Sequence, residues 1–297
     1  MIEKPYRPYA ATKLQCESRS WWARNPMTYD WRGTNHAPEG TLEFFEEIDR
    51  RFFQSSPLYR GERPFAALIP FADLRGKRVL EIGCGLGSHS QLLAEAGCNL
   101  TSIDLTPRAV ALTTRRLALH YLSSDVREMD AEEMEFVDGE FDFIWSWGVI
   151  HHSAHAERIL RQVTRVLKSN GEFRFMVYNR RAFDTYTKVM RGVLTGKQFR
   201  GMSMDDILSF YSDGYLARFY TRKQLRKLIE TNGLCCERIS VMGQTSELVP
   251  LRGTGKMGKL KYRLVPNIPA GLAESVLKRA GSFLFAVARK PSANAPV

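Results

Sequence analysis

The chain has 297 residues and 44% hydrophobic content, enough for one large globular domain or two small ones. It holds no run of eighteen apolar residues and no apolar leader in "MIEKPYRPYAATKLQCESRS", which argues for a cytoplasmic protein and against a secreted or membrane-spanning one. Charge is uneven: residues 1–150 carry 17 Lys and Arg against 22 Asp and Glu, the remainder 26 against 10, so the C-terminal half suits an anionic substrate or a membrane surface.

The first sixty residues are rich in aromatics and turn formers, as in "SWWARNPMTYDWRGTNHAPEG", and then give one amphipathic helix, "TLEFFEEIDRRFFQ", with Phe45, Ile48 and Phe52 at helical spacing. This predicts an N-terminal helical extension over 1–76 that acts as a lid on a main domain over 77–297. From Lys77 short apolar runs alternate with helices. "RVLEIG" reads as a strand, "SHSQLLAEAG" as a helix closed by Gly97, and "LTSID" as a second strand. Thr106 and Pro107 supply an N-cap and a first-turn proline for "PRAVALTTRRLALH".

Further strands are predicted at "DVREMD", "FDFIWSW" and "GEFRFMVYN", with the helix "AERILRQVTRVLK" before the last; its Ile159, Leu160, Val163, Val166 and Leu167 make one apolar stripe. Two insertions follow, at about 180–220 and 245–280. Between them Thr221 and Gln224 form a capping box, "CCERISVMG" is a strand, and "GSFLFAVARK" closes the chain as another. Strands alternating with crossover helices predict an α/β fold: a doubly wound, mostly parallel sheet of seven strands covered on both faces. The five cysteines are scattered and include no C-x-x-C pair, which speaks against a disulfide framework and a zinc site.

"VLEIGCGLGSHS" sets Gly83, Gly85 and Gly87 directly after a strand and at the mouth of a helix, where backbone can approach a ligand. Asp104 ends the next strand 21 positions beyond Gly83, placed to accept hydrogen bonds from two ribose hydroxyls. Ser88 stands where a dinucleotide fingerprint wants glycine or alanine, so the loop suits a cofactor without a pyrophosphate.

With "MDAEEMEFVDGEFDFIWSWGVIHH" and "RVLKSNGEFRF", these motifs make the chain resemble the class I S-adenosylmethionine-dependent methyltransferases, in the bacterial small-molecule and ubiquinone/menaquinone-type branch. The resemblance covers residues 77–179 well and the closing strands loosely. It implies a Rossmann-like sheet, S-adenosylmethionine as cofactor with S-adenosylhomocysteine as product, and no metal. It further implies that Glu81, Gly83, Cys84, Gly85 and Gly87 cradle the methionine part, Asp104 the ribose, and Leu105, Asp130 and Ala131 the adenine, with Ser146 and Trp147 at the methionine end.

His151 and His152 fall just past the end of the fourth predicted strand, the edge where open α/β sheets bind ligands. One of them is a candidate base, needed only if the acceptor is a protonated nucleophile. Tyr178, Asn179 and Arg180 end the fifth strand on the same edge; Tyr178 joins the catalytic candidates, and Asn179 and Arg180 the acceptor side. Trp21, Trp22, Tyr29 and Trp31 offer π faces to a sulfonium, and Trp22 and Tyr29 are acceptor-side candidates. Arg180, Arg181, Arg218 and Arg222 are candidate anion clamps. In "RRAFDTYTKVMRGVLTG" the apolar positions Phe183, Tyr186, Val189, Met190 and Val193 read as core. The second insertion carries five basic residues, Arg252, Lys256, Lys259, Lys261 and Arg263, in an amphipathic pattern broken by Pro266 and Pro269.

The reading is therefore a methyltransferase acting on a small-molecule acceptor, through oxygen or nitrogen, anionic or lipid- or quinone-like. Two alternatives stay open: an RNA methyltransferase, which the basic half favours and the absence of an Asn/Asp-Pro-Pro-aromatic motif after strand four disfavours, and a non-catalytic S-adenosylmethionine-binding protein.

Overall fold

The structure, a computed structural model, describes residues 11–29, 35–54, 63–197, 201–249, 251 and 255–292. Trp31 and Arg252 lie outside the described residues. The N-terminal segment contributes two helices, α1 (Ala11–Arg24) and α2 (Leu42–Phe53). The second is the predicted amphipathic helix: Thr41 caps it by accepting from Phe44 N–H, and Phe44, Phe45, Ile48 and Phe52 are buried. The first was not predicted.

The main sheet follows: β1 (Arg78–Ile82), α3 (Ser88–Glu95), β2 (Asn99–Asp104), α4 (Pro107–Leu119), β3 (Asp125–Glu128), β4 (Phe141–Trp147), α5 (Ala156–Val166) and β5 (Leu167–Asn179). Thr106 caps α4 through Ala109 N–H, with Pro107 in the first turn, as the sequence predicts. The α5 stripe of Ile159, Leu160, Val163 and Val166 is buried against Phe173, Phe175 and Val177 of β5, each such side chain contributing roughly 1.5–3 kcal/mol of burial. β5 starts four residues before its predicted Gly171, at Leu167. It passes through Asn170 at φ 61 and resumes its register on β4 at Glu172.

The later elements are α6 (Phe183–Leu194), α7 (Met204–Phe210), β6 (Phe219–Tyr220), α8 (Arg222–Thr231), β7 (Cys235–Met242), α9 (Gly255–Leu264), α10 (Ala270–Ala280) and β8 (Phe283–Arg289). The predicted capping box of Thr221 and Gln224 opens α8. Pro266 sits in a 3-10 turn between α9 and α10, and Pro269 caps α10, so the two prolines turn a corner between helices.

Seven strands run in the order β3-β2-β1-β4-β5-β8-β7. β1 to β5 are parallel, and β8 lies antiparallel between β5 and β7. The two-residue β6, an eighth strand that the sequence did not signal, pairs with the end of β5. Between β1 and β4 the chain order reverses, which opens a crevice beyond the carboxyl ends of the strands.

Candidate active site

The turn after β1 is built from backbone that only glycine adopts easily. Gly83, Gly85 and Gly87 have φ of 78°, 57° and 79°. A Cβ on Gly83 would lie 2.2 Å from Val149 Cγ2, and one on Gly87 3.0 Å from Arg116 Cδ, whereas one on Gly85 would meet nothing within 4 Å. Gly83 and Gly87 are thus fixed by packing, and Gly85 leaves its backbone bare toward the cavity it lines. Asp104 stabilises the loop: one carboxylate oxygen accepts from Gly85 N–H at 3.0 Å, the other from Thr106 N–H at 2.9 Å and the Thr106 hydroxyl at 3.0 Å. Burial raises its pKa, and those hydrogen bonds oppose the rise.

A cavity of about 450 Å³ runs along this edge, within the roughly 300–1,000 Å³ usual for small-molecule sites. One end is walled by Gly85, Asp104, Leu105, Asp130 and Ala131. Helix α1 closes over that end. Gln15 Nε2 donates to both oxygens of Asp130 at 3.0 Å while its Oε1 accepts from Ala154 N–H at 3.1 Å. Arg19 Nε donates to Leu105 O at 3.0 Å, its guanidinium pairs with Glu128, and the Ser18 hydroxyl donates to His152 O at 3.3 Å.

The other end is aromatic, with Trp22, Tyr29, Trp147, His152, Tyr178 and Phe219 on its walls. Tyr29 stacks on Phe52 with centroids 5.1 Å apart, and Trp22 meets the His152 ring edge-on at 5.0 Å. His152 Nδ1 lies 2.6 Å from Leu216 O. A carbonyl only accepts, so Nδ1 carries a proton, and the neutral tautomer compatible with this contact has its lone pair on Nε2. Gly214, at φ 82°, holds this arrangement: a Cβ there would lie 2.5 Å from His152 Nδ1 and 3.0 Å from Trp22 Cζ2. Charged groups complete the wall. Lys188 pairs with Asp184 at 2.7 Å, and Glu247 accepts from Gln244 N–H at 2.7 Å and Ser282 N–H at 2.9 Å. Burial pushes the Glu247 carboxyl up to about 7.

Of the residues singled out by sequence, Gly83, Cys84, Gly85, Asp104, Leu105, Asp130, Ala131, Trp147, Trp22, Tyr29, His152 and Tyr178 share the cavity wall. Six are off it. Glu81 lies behind the loop, accepting from the hydroxyls of Ser90 and Ser102 (3.0 Å to the latter), and burial pushes it to about 7. Ser146 donates to Ile82 O at 3.1 Å, tying β4 to β1, and Gly87 caps α3. His151 is fully buried, its ring 3.9 Å from that of Tyr178, and burial holds its pKa well below the ordinary value. Asn179 is consumed by Gly281 O and Arg181 N–H.

Arg180 turns outward to Asp205, and Arg218 binds Ser153 O and Ala154 O, so neither clamps an anion in the cavity. Arg108, Lys188, Arg191 and Lys261 are the cations on the wall instead. Sequence reading also missed Gln15, Ser18 and Arg19, whose helix lacks an apolar stripe, and Gly214, whose only signal was a glycine in a tyrosine-rich loop. Among the described residues no group of three or more His, Cys, Asp or Glu is arranged to hold a metal ion.

Residues 80–175 match the family model described as a methyltransferase domain. A ubiquinone biosynthesis O-methyltransferase of Pseudomonas aeruginosa is 36% identical over 116 residues, 37% of this chain and 47% of that protein. The chain thus spans about half the length of that relative. One from Xanthomonas oryzae pv. oryzae is 34% identical over 169 residues, 52% of this chain and 67% of that protein. Among solved structures, the cyclase SpnF superposes with a TM-score of 0.57 at 17% identity, covering 98% of this chain and all of that one. A geranyl diphosphate C-methyltransferase from Streptomyces coelicolor, crystallised with Mg2+, geranyl diphosphate and S-adenosyl-L-homocysteine, gives 0.56 at 14%, covering 95% and 100%. At such identities these two likenesses speak for the fold alone.

Proposed function

Since this chain belongs to the class I S-adenosylmethionine-dependent methyltransferases, we propose that it transfers a methyl group from S-adenosylmethionine to a small-molecule acceptor held at the aromatic end of the cavity. The observation that carries this reading is the continuity of one cavity from the Gly85 and Asp104 cradle to His152 and Tyr178. The residues fit the cofactor. The bare backbone of Gly85 leaves room for close approach, Asp104 Oδ2, which accepts from Gly85 N–H, retains a second lone pair for a ribose hydroxyl, and Asp130 Oδ2, which accepts from Gln15, retains one for an adenine amino group, the Oδ1 atoms being filled by Thr106 and by Gln15 with Glu132 N–H. When bound, the cofactor supplies a sulfonium methyl whose leaving group is a neutral thioether.

The protein's own part is alignment and exclusion of water. Trp147, Tyr29 and Trp22 line the cavity, and their π systems favour a positive charge beside them. The acceptor's lone pair would take the methyl carbon from the cofactor held by Gly85, Asp104 and Asp130, the C–S electron pair staying on the departing thioether. For a hydroxyl acceptor, His152 Nε2 is the group whose tautomer is set to take the released proton. The O-methyltransferase relatives favour oxygen as the methylated atom.

The test is calorimetric titration of S-adenosylmethionine together with label transfer to small-molecule and lipid fractions of a bacterial extract. Asp104→Ala loses a hydrogen bond to a charged group, about 1.5–3 kcal/mol, so affinity falls by roughly tenfold or more and label transfer with it. Equal affinity in the variant would overturn the cofactor assignment.

A further inference from the structure

Helix α6 shows three faces. Thr185 and Gly192 turn inward, where a Cβ on Gly192 would meet Ile207 Cγ2 of α7 at 2.4 Å. Asp184, Thr187, Lys188 and Arg191 line the acceptor end of the cavity. The third face overturns the sequence expectation of core: Tyr186, Met190 and Leu194 are 62%, 57% and 79% exposed, with Phe183 and Val193 beside them. At about 100° per residue this stripe adjoins the cavity-lining one.

Helix α9 repeats the pattern. Lys261 lines the cavity, and its neighbour Leu260 with Met257 and Leu264, one turn to either side, are each more than 40% exposed. α10 adds Leu272 and Val276. Both α6 and α10 pack on the 3-10 turn Thr245–Leu248, and α9 packs on the turn Val265–Asn267, which contacts it. Apolar surface of this extent on both walls of one cavity marks a binding face. Among the described side chains of α9 and α10, Lys256, Lys261, Arg263, Lys278 and Arg279 stand against the single acid Glu274. So basic a surface repels a second copy of itself and matches an anionic bilayer.

We propose that the solvent faces of α6, α9 and α10 dock on a membrane bearing anionic lipids and set the cavity mouth at the bilayer. There the acceptor, dissolved among the acyl chains, enters without crossing water. The inference rests on the acceptor occupying this end of the cavity, but docking itself is read without turnover.

The experiment is flotation of the full chain with vesicles of phosphatidylcholine alone or mixed with phosphatidylglycerol. It compares wild type, a Tyr186→Ser/Met190→Ser/Leu194→Ser variant, a Met257→Ser/Leu260→Ser/Leu264→Ser variant and a Lys256→Glu/Arg263→Glu variant. Cofactor affinity, measured in parallel, reports that each variant is folded. Wild type is expected to float with the mixed vesicles, less at high salt. Each variant is expected to lose about tenfold or more of that partitioning. No partitioning by wild type, undiminished partitioning by folded variants, equal partitioning to pure phosphatidylcholine, or a dimer seen by light scattering that the serine variants dissociate would each overturn the proposal. Failure of wild type to bind S-adenosylmethionine would instead remove the methyltransferase reading and leave the vesicle result standing.

Discussion

His89 and His152 line the same cavity in different settings. The His89 ring sits 4.5 Å from Phe65 and 5.4 Å from Trp145, and burial, aided by the Arg116 charge, depresses its pKa from 6.5 to about 3. The folded pKa is below the unfolded one, so protonation favours the unfolded chain. The neutral ring's contribution is complete above about pH 6.5 and is lost as pH falls toward 3. His89→Phe removes this linkage, so the variant gains on wild type steadily through that window in urea melts at a series of pH values. Parallel pH profiles would mean that His89 titrates normally in the folded chain. The pair at 151 and 152 was legible in sequence as belonging to the ligand edge, but the choice between them was not. Two adjacent rings diverge, and only the fold sends one inward beside Tyr178 and the other to Leu216 O.

Elements with a strong period were readable and those held by tertiary contacts were not. Helices α2, α4, α5 and α8 announce themselves by caps and stripes. Helix α1 does not, because its hold on the sheet is polar: Gln15, Ser18 and Arg19 bond to Asp130, Ala154, His152 and Leu105. Gln15→Ala deletes its contacts to both Asp130 oxygens and to Ala154, about 2 kcal/mol in all. Exchange protection of residues 13–24 is then expected to fall by roughly tenfold or more while that of β1, β4 and β5 is unchanged. Hydrogen-exchange mass spectrometry separates this local loosening from a global loss, which would show α1 to be part of the core.

At the scale of the molecule, the buried Arg116 guanidinium of α4 joins helix α2 of the N-terminal segment to α3 of the main domain. Arg116, 1% exposed, pairs with Asp49 of α2 and donates to Gln91 at 2.9 Å and Ser88 at 3.2 Å on α3. Arg116→Met leaves Asp49 without its cation and Ser88 and Gln91 without a donor, costing about 3 kcal/mol. That lowers the melting temperature by roughly 6 °C or more, and calorimetric scanning reads it. A loss below about 1 kcal/mol would assign the pair to the solvent-screened class.

The sequence by itself determined the order of strands and helices from β1 to β5, the later α8, β7 and β8, the caps, and the glycine turn with its acid 21 residues on. Each of these depends on local backbone chemistry or on a period that a short stretch contains. Only the tertiary structure decided that β8 runs antiparallel between β5 and β7, and that Arg180 faces Asp205 while Lys188 and Arg191 face the cavity. It also decided that the apolar stripe of α6 faces solvent, since α6 has three faces and α7 and the cavity wall occupy the other two. A helical period says which residues share a face, and only packing between distant segments says what that face meets.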